Sequence, residues 1–158
     1  PLAHHAAATF AALLFARHIA VVAQDDLRLT EFGFQILPID QADQPMSQSI
    51  IAGVRFAQRD EKISAVMIAL ADMPFVSADH VRALVRNFGG SIIASHNGEK
   101  PMPPAIFGRR HFARLLELGG DNGARDLVKD APCVVASQHI LADIDTIEQL
   151  AEAETTSN

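Results

Sequence analysis

Ala65-Val66-Met67-Ile68-Ala69-Leu70-Ala71-Asp72-Met73-Pro74-Phe75-Val76-Ser77 decides how this chain is read. A continuous apolar run ends at a carboxylate and then at a proline. Such a run, bounded by turn signals, predicts a strand buried on both faces, as in a parallel sheet covered by helices. Pro74 stops the strand because it has no N–H to give to a ladder. Ser77 predicts a helix N-cap, its hydroxyl accepting from a first-turn N–H, with Asp79 in the favourable first turn. Val81, Leu84, Val85 and Phe88 follow at helical spacing. Asp72 thus falls at the carboxyl end of a central strand, where open α/β sheets bind ligands. The residues alone also permit a plainer role for Asp72, that of capping a turn.

The same alternation extends both ways from that stretch. Upstream, Leu2 to Phe15 is Ala-rich with Phe10, Leu13 and Leu14 on one face, which predicts a helix. His18 to Ala23 and Phe34 to Ile39 read as short strands, and the face formed by Ile50, Ile51, Val54 and Ala57 reads as a helix. Downstream, Gly89-Gly90 closes the helix through Phe88, and Ser91 to Ser95 is a strand. Pro101 to Pro104 reads as a rigid loop leading into Ala105-Ile106-Phe107. Phe112, Leu115 and Leu116 predict a helix closed at Gly119-Gly120, and Leu127 with Val128 a second short one. Cys133 to Ala136 predicts a strand, and Ile140 to Ile144 a further candidate. Thr146 and Gln149 form a capping box for a last helix. Strands alternating with helices predict an α/β sheet with right-handed crossovers.

Composition narrows the function. With 158 residues, 49% of them apolar, the chain has material for one domain with a real core. A net charge of −6 and the lack of any basic run argue against a nucleic-acid surface. An anionic nucleotide would need local help from a cation or from backbone amides. The single cysteine, Cys133, excludes an internal disulfide and fits a cytoplasmic setting. No apolar run approaches membrane-spanning length, and no signal peptide is evident. The histidines lack ligand spacing with one another or with Cys133, which argues against a zinc site.

Three constellations carry possible chemistry. Asp72 is the first: a carboxylate at a strand end, where ligands bind, is able to hold a divalent cation. The second runs from Pro103-Pro104-Ala105-Ile106-Phe107 through Phe112, Leu115 and Leu118 to Gly119-Gly120-Asp121-Asn122-Gly123-Ala124-Arg125. As residues it reads either as helix, glycine turn and capped helix, or as a phosphate seat made of helix amides and one arginine. The third is Asp143-Ile144-Asp145-Thr146. Two carboxylates at i and i+2 of an extended segment point the same way and can share a metal or substrate; capping by Thr146 explains the same letters.

Together these motifs resemble a known family. Ala71-Asp72-Met73-Pro74-Phe75-Val76-Ser77 is similar to the metal-binding signature of the molybdenum cofactor nucleotidyltransferases, MobA-like NTP transferases within the nucleotide-diphosphosugar transferase superfamily. The block ending Gly120-Asp121-Asn122-Gly123-Ala124-Arg125 closely resembles that of the molybdenum cofactor cytidylyltransferases. Asp143-Ile144-Asp145-Thr146 resembles their Asp-Ile-Asp-Thr ending, with Ile147 and Gln149 in place of Pro and Asp. Pro45-Met46-Ser47-Gln48-Ser49-Ile50-Ile51-Ala52-Gly53 resembles their nucleotide-approaching segment, with Pro45 replacing its leading glycine.

The resemblance implies a three-layer, Rossmann-like nucleotide-diphosphosugar transferase fold with a mostly parallel sheet. It implies Asp72 as the catalytic, metal-holding residue for Mg²⁺ (or Mn²⁺), supported by Asp143 and Asp145. Ser49, Gly53 and Asp72 would contact the nucleotide. Pro104, Asp121, Gly123 and Arg125 would seat the second substrate, the pterin phosphate. The implied reaction transfers CMP from CTP to molybdenum-bound molybdopterin, releases pyrophosphate, and serves a molybdoenzyme partner, with no nucleic acid or membrane involved. Alternatives are guanylyl or other small-molecule nucleotidyl transfer, and a non-catalytic remnant that binds a pterin cofactor or a molybdoenzyme.

Members of that family open with a strand and a glycine-rich loop whose amides, Arg and Lys hold the triphosphate. Nothing of this kind precedes Pro1, and Lys62, Lys100 and Lys129 lie in no glycine-rich loop. The expectation is one nucleotidyltransferase-like domain over residues 1–158, N-terminally incomplete, with the first strand absent from the sequence. That strand would occupy the middle of the sheet, so its neighbours would keep unpaired edges. Either it lies outside this sequence, another segment substitutes for it, or the sheet is rearranged.

Overall fold

A computed structural model describes residues 2–23, 27–40, 45–120 and 123–144. The first element is helix α1 (Leu2–Ala11), which buries Ala3, Ala6, Ala7 and Phe10, the stripe that helical periodicity places on one face. Strands β1 (Ile19–Val22) and β2 (Gln35–Pro38) pair in parallel, Ile19 opposite Gln35 and Val22 opposite Pro38. Helix α2 (Met46–Ala57) then leads to β3 (Ala65–Ile68). Helix α3 (Ala78–Asn87) follows, then β4 (Ile92–His96) and β5 (Pro101–Gly108). Two short helices, α4 (Phe112–Leu116) and α5 (Arg125–Val128), precede β6 (Cys133–Val135). No helix among the described residues is long and apolar enough to cross a membrane.

The larger sheet has the order β3-β5-β4-β6. β5 is antiparallel to both β3 and β4, and β6 is parallel to β4. Strands β3, β4 and β6 therefore share one direction and β5 alone is reversed. The mostly parallel α/β sheet expected from the sequence is present, made mixed by that one strand.

Alternation along the strands assigns the layers. Val66 and Ile68 pack into the cluster that holds Ile50 and Val54 of α2, whereas Met67 packs into the cluster that holds Ala6 and Phe10 of α1. Successive side chains of a strand point to opposite faces, so α1 and α2 lie on opposite sides of β3. β1 repeats the pattern. Ala20 and Val22 pack with Ala3 and Ala7 of α1, while Val21 faces Gly53 of α2. Helix, sheet, helix is the three-layer arrangement anticipated above.

Three local expectations change. The stretch Pro101 to Pro104 is not a loop but the first half of β5. The ladder accommodates it by a register shift: Ala94 pairs with Ala105 and Ser95 with Met102, which leaves Pro103 and Pro104 without a partner on β4. The two prolines that cannot donate thus sit where no donor is required. Next, β3 is only half-buried along its whole length, and the central strand buried over most of its length is β5. Among the described residues β3 is paired on one edge alone, and its residues line a cavity. Finally, Ile140 to Ile144 forms no strand; it is a turn followed by an irregular segment. The capped helix expected after Thr146 lies outside the described residues.

Two polar clusters hold the elements in place. Ser77 caps α3 as expected, its Oγ accepting from the His80 N–H at 3.2 Å. The His80 ring is buried; its Nε2 lies 2.8 Å from Ser95 Oγ, and that hydroxyl donates to the Pro104 carbonyl at 2.8 Å. Because the hydroxyl's one proton goes to Pro104, Nε2 carries the proton that Ser95 accepts. At the other end of the sheet the Arg109 guanidinium donates to the carbonyls of Gln58, Asp60 and Ile63 at 2.7–3.0 Å. It thereby satisfies carbonyls at and beyond the C-terminus of α2, where a cation also complements the helix dipole.

These clusters lead to two measurable outcomes. Ser95→Ala leaves both the His80 N–H and the Pro104 carbonyl buried without a partner, and it should cost about 1–3 kcal/mol in urea unfolding. Burial lowers the His80 pKa below the ordinary 6.5. The unfolded chain then binds more protons than the folded one below that value. Stability from this group is complete above pH 6.5 and erodes as the pH falls from there towards the folded pKa. Urea midpoints measured between pH 7.5 and 5 should fall on the acid side, and a flat profile would contradict a neutral, buried His80.

Candidate functional site

The site is built from the end of β3. After Ile68 the chain leaves the ladder, and Ala69, Leu70 and Ala71 lead into the turn that carries Asp72. Met73, Pro74 and Val76 are buried behind it, so the turn is anchored through its apolar side chains. Asp72 itself is half-buried, with Oδ1 out of contact with solvent. Its backbone carbonyl accepts from the Ile144 N–H at 2.8 Å. That bond fixes the segment 142–144 against the Asp72 turn and brings exposed Asp143 next to it in the chain. Two carboxylates more than seventy positions apart in sequence are thus held on adjoining backbone segments. Their partner in the sequence reading, Asp145, lies outside the described residues.

The remaining site residues sort by element. Ser49 and Gly53 stand on the part of α2 that lines a cavity of about 490 Å³, whose wall also includes Ala69, Leu70 and Ala71 just ahead of Asp72. A Cβ on Gly53 would sit 3.6 Å from Val21 Cγ2, so this glycine lets α2 lie close on β1. Gly123 is buried with φ +54°, a conformation that favours glycine. A side chain there would meet Met46 Sδ at 3.0 Å and Ile50 Cδ1 at 3.5 Å. The glycine turn is therefore packed on the first turns of α2, the same helix that presents Ser49. Arg125 opens the four-residue α5 and is exposed. Pro104 is fully buried within β5, with its carbonyl engaged by Ser95. Asp121 lies outside the described residues.

Two features near the site had no signal in the sequence. Phe75, in the Asp72 turn, stacks on His139 with ring centroids 4.5 Å apart and planes 26° from parallel. This contact is a second tie between the Asp72 turn and the segment leading to Asp143. No spacing rule links residues so far apart. Ser47, in the first turn of α2, has a fully buried Oγ with no hydrogen-bond partner. Its letter resembles any helix-start serine, and only the fold reveals its burial.

The donor set suits a hard divalent cation. Mg²⁺ and Mn²⁺ take oxygen ligands, commonly one or two carboxylates with the rest from water and substrate phosphates. Asp72 and Asp143 meet that description. Among the described residues no group of three or more His, Cys, Asp or Glu could hold a metal by itself. The arrangement fits a cation shared with a phosphorylated substrate better than a closed protein cage.

Comparison with known proteins identifies the family and the fold. The model of the MobA-like NTP transferase domain matches residues 1–153. The purine catabolism protein PucB of Bacillus subtilis (strain 168) is 34% identical over 114 residues, 68% of this chain and 55% of PucB. The chain thus spans about half the length of that curated relative. Among solved structures, the Rv0371c homologue from Mycobacterium sp. strain JC1 superposes with a TM-score of 0.80 at 20% identity, over 98% of this chain and 82% of that one. A nucleotidyl transferase from Methanothermobacter matches with a TM-score of 0.76 at 20% identity, over 98% and 79%. Rv0371c of Mycobacterium tuberculosis in complex with manganese matches with a TM-score of 0.72 at 18% identity, over 94% and 84%. At such identities the structures show a shared α/β fold with a mixed sheet. The match along nearly the whole sequence shows more: the chain belongs to the MobA-like NTP transferase domain family.

Proposed function

We propose that this chain is the core of a metal-dependent nucleotidyltransferase that moves CMP from CTP to the terminal phosphate of molybdenum-bound molybdopterin. The observation that carries the reading is the Asp72 carbonyl–Ile144 N–H bond, which joins the strand-end carboxylate to the Asp143 segment. Asp72 and Asp143, with Asp145 beyond them, would hold Mg²⁺ or Mn²⁺. When bound, the cation supplies charge neutralisation at the α-phosphate and the departing pyrophosphate. Ser49 and Gly53 face the nucleotide from α2. Pro104, Asp121, Gly123 and Arg125 seat the acceptor's phosphate, Arg125 through its guanidinium.

The acceptor oxygen forms a bond to the α-phosphorus as the bond between that phosphorus and the bridging oxygen to the β-phosphate breaks, and pyrophosphate carries away the electron pair. A phosphate monoester is already largely ionised at neutral pH, its second pKa being about 6, so no side chain has to remove a proton. Positioning and charge stabilisation are what the protein must supply. This agrees with a site rich in carboxylates and turns and poor in nucleophiles. The likeness to PucB, a purine catabolism protein, favours a role in purine catabolism.

Asp72→Asn tests the assignment. The hydrogen bond to Ile144 comes from the backbone carbonyl, so the substitution leaves that tie in place while removing the charge. Pyrophosphate release from CTP with molybdopterin and MgCl₂ or MnCl₂, measured on the full polypeptide, should fall by roughly 100-fold or more, with the urea midpoint nearly unchanged. Retained turnover would remove Asp72 from the mechanism. In the same assay CTP should outpace GTP; preference for GTP would point to guanylyl transfer, and no release with either to a binding role without catalysis.

A further inference from the structure

The turn between β4 and β5 is Asn97-Gly98-Glu99-Lys100, closed by the pairing of His96 with Pro101. Asn97 Oδ1 accepts from the Glu99 N–H and from the Lys100 N–H, both at 3.0 Å. Two backbone donors on one atom identify it as the oxygen. The amide nitrogen of Asn97 then points the other way, and no acceptor among the described residues engages it. Gly98 has φ +97°, and a Cβ there would meet nothing within 4 Å, so glycine is needed for its backbone and not for space. Its N–H donates to His96 Nδ1 at 3.0 Å. The imidazole therefore presents a lone pair to the backbone N–H that directly follows Asn97.

We infer that Asn97 is a site of self-modification: the Gly98 nitrogen attacks the Asn97 side-chain amide, ammonia leaves, and the cyclic imide opens with water to an aspartyl or isoaspartyl residue. Each step has its group in place. His96 Nδ1 takes the proton from the Gly98 nitrogen as that nitrogen bonds to Asn97 Cγ. The carbonyl electron pair moves onto Oδ1, where the Glu99 and Lys100 N–H groups already donate, as backbone amides do in an oxyanion hole. When the carbonyl re-forms, the bond to Nδ2 breaks, and that nitrogen departs as ammonia with the proton that His96 took up. Gly98 and Glu99 are exposed, so water reaches the imide. Hydrolysis of the new Cγ–N bond leaves aspartate in an ordinary main chain. Hydrolysis at the original main-chain carbonyl leaves the isoaspartyl link, with an extra carbon in the backbone. In sum a water is consumed and an ammonia released, with no oxidation or reduction.

The place of the turn gives this change a consequence. β3 and β4 run the same way, so the turn stands at the end of the sheet that carries Asp72. Glu99 Oε1 accepts from Gln138 Nε2 at 3.2 Å, and Gln138 precedes His139, whose ring stacks on Phe75 in the Asp72 turn. Aspartate at position 97 adds a negative charge at this end while keeping both N–H bonds, since a carboxylate oxygen accepts as an amide oxygen does. The isoaspartyl link lengthens the turn and alters the spacing between Glu99 and Gln138.

The full polypeptide, incubated at neutral pH and followed by peptide mass spectrometry, should convert Asn97 to a mixture of aspartyl and isoaspartyl forms. Asn122, which also precedes a glycine, falls in a separate peptide and is scored apart. Conversion of Asn97 should run faster in the folded protein than in the same protein unfolded in urea, because only the fold holds His96 and the two amides in place. His96→Gln keeps an acceptor for the Gly98 N–H without a comparable base. It should slow conversion in the folded protein roughly tenfold or more and leave the rate in urea unchanged. Equal or slower conversion in the folded protein overturns the inference, as does a folded His96→Gln protein that converts at the wild-type rate. If His96→Gln fails to fold, the comparison of folded with unfolded wild type decides alone.

Discussion

One-sided pairing of β3 is the constraint on which this structure depends. Among the described residues, the strand that delivers Asp72 is paired by β5 alone, with Ala65 opposite Gly108 and Ile68 opposite Ala105. β5 in turn is secured by β4 on its far side and is buried over most of its length. Position therefore propagates from β5 outward: the reversed strand holds β3, and the end of β3 holds the Asp72 turn. The bulge where Pro103 and Pro104 drop out of register belongs to the same framework, because Ser95 takes up the carbonyl that the shift frees. The most buried strand of the sheet contains three prolines, and two of them, Pro103 and Pro104, fall where the shift leaves no partner on β4 and no ladder donor is needed.

The site adds charge to that framework without adding a rigid cage. Asp72 and Asp143 approach through a main-chain bond, and the turn and its neighbour are further joined by the Phe75–His139 stack. Both ties are made by main-chain and ring atoms. In a chain with net charge −6, a polyphosphate is repelled at long range, and a divalent ion between carboxylate and phosphate reverses that locally. The glycine turn contributes by shape instead. A Cβ on Gly123 would press on Met46 Sδ and touch Ile50 Cδ1, so the turn sits close against α2. Ser49, Gly53 and Gly123 are thereby presented around one helix.

Much of this was legible in the sequence, for identifiable reasons. The apolar run into Asp72-Met73-Pro74 marks a strand end because a carboxylate and a proline both oppose continuation of a ladder, and Ser77 caps its helix as a short hydroxyl should. β5 was not legible. Three prolines within four residues argue against a strand, and the register shift that admits them is set by β4, a partner distant in sequence. The burial of Pro104 was hidden for the same reason. Nor could the segment from Ile140 be told from a strand by its letters, since its backbone partner is the Asp72 carbonyl rather than a neighbouring ladder. Periodicity reports which face of an element is apolar; it is silent on which distant backbone group completes a hydrogen bond.

The mismatch between letters and burial carries the last step. β1 reads Ile-Ala-Val-Val and β3 reads Ala-Val-Met-Ile, compositions suited to strands enclosed on both faces and both edges, yet every one of these residues is only half-buried. β4, with no more hydrophobic a sequence, has three of its five residues fully buried. Intrinsic preference and environment therefore disagree at β1 and β3, and they disagree on the side that faces the cavity. Sequences that specify a fold agree with it at each level, local and global. Apolar burial stabilises by about 25 cal/mol per Å², so a row of aliphatic side chains around an open groove leaves hydrophobic stabilisation unused. At β1 and β3 the aliphatic side chains instead stay half-buried around the cavity that also meets Ser49 and Gly53 of α2.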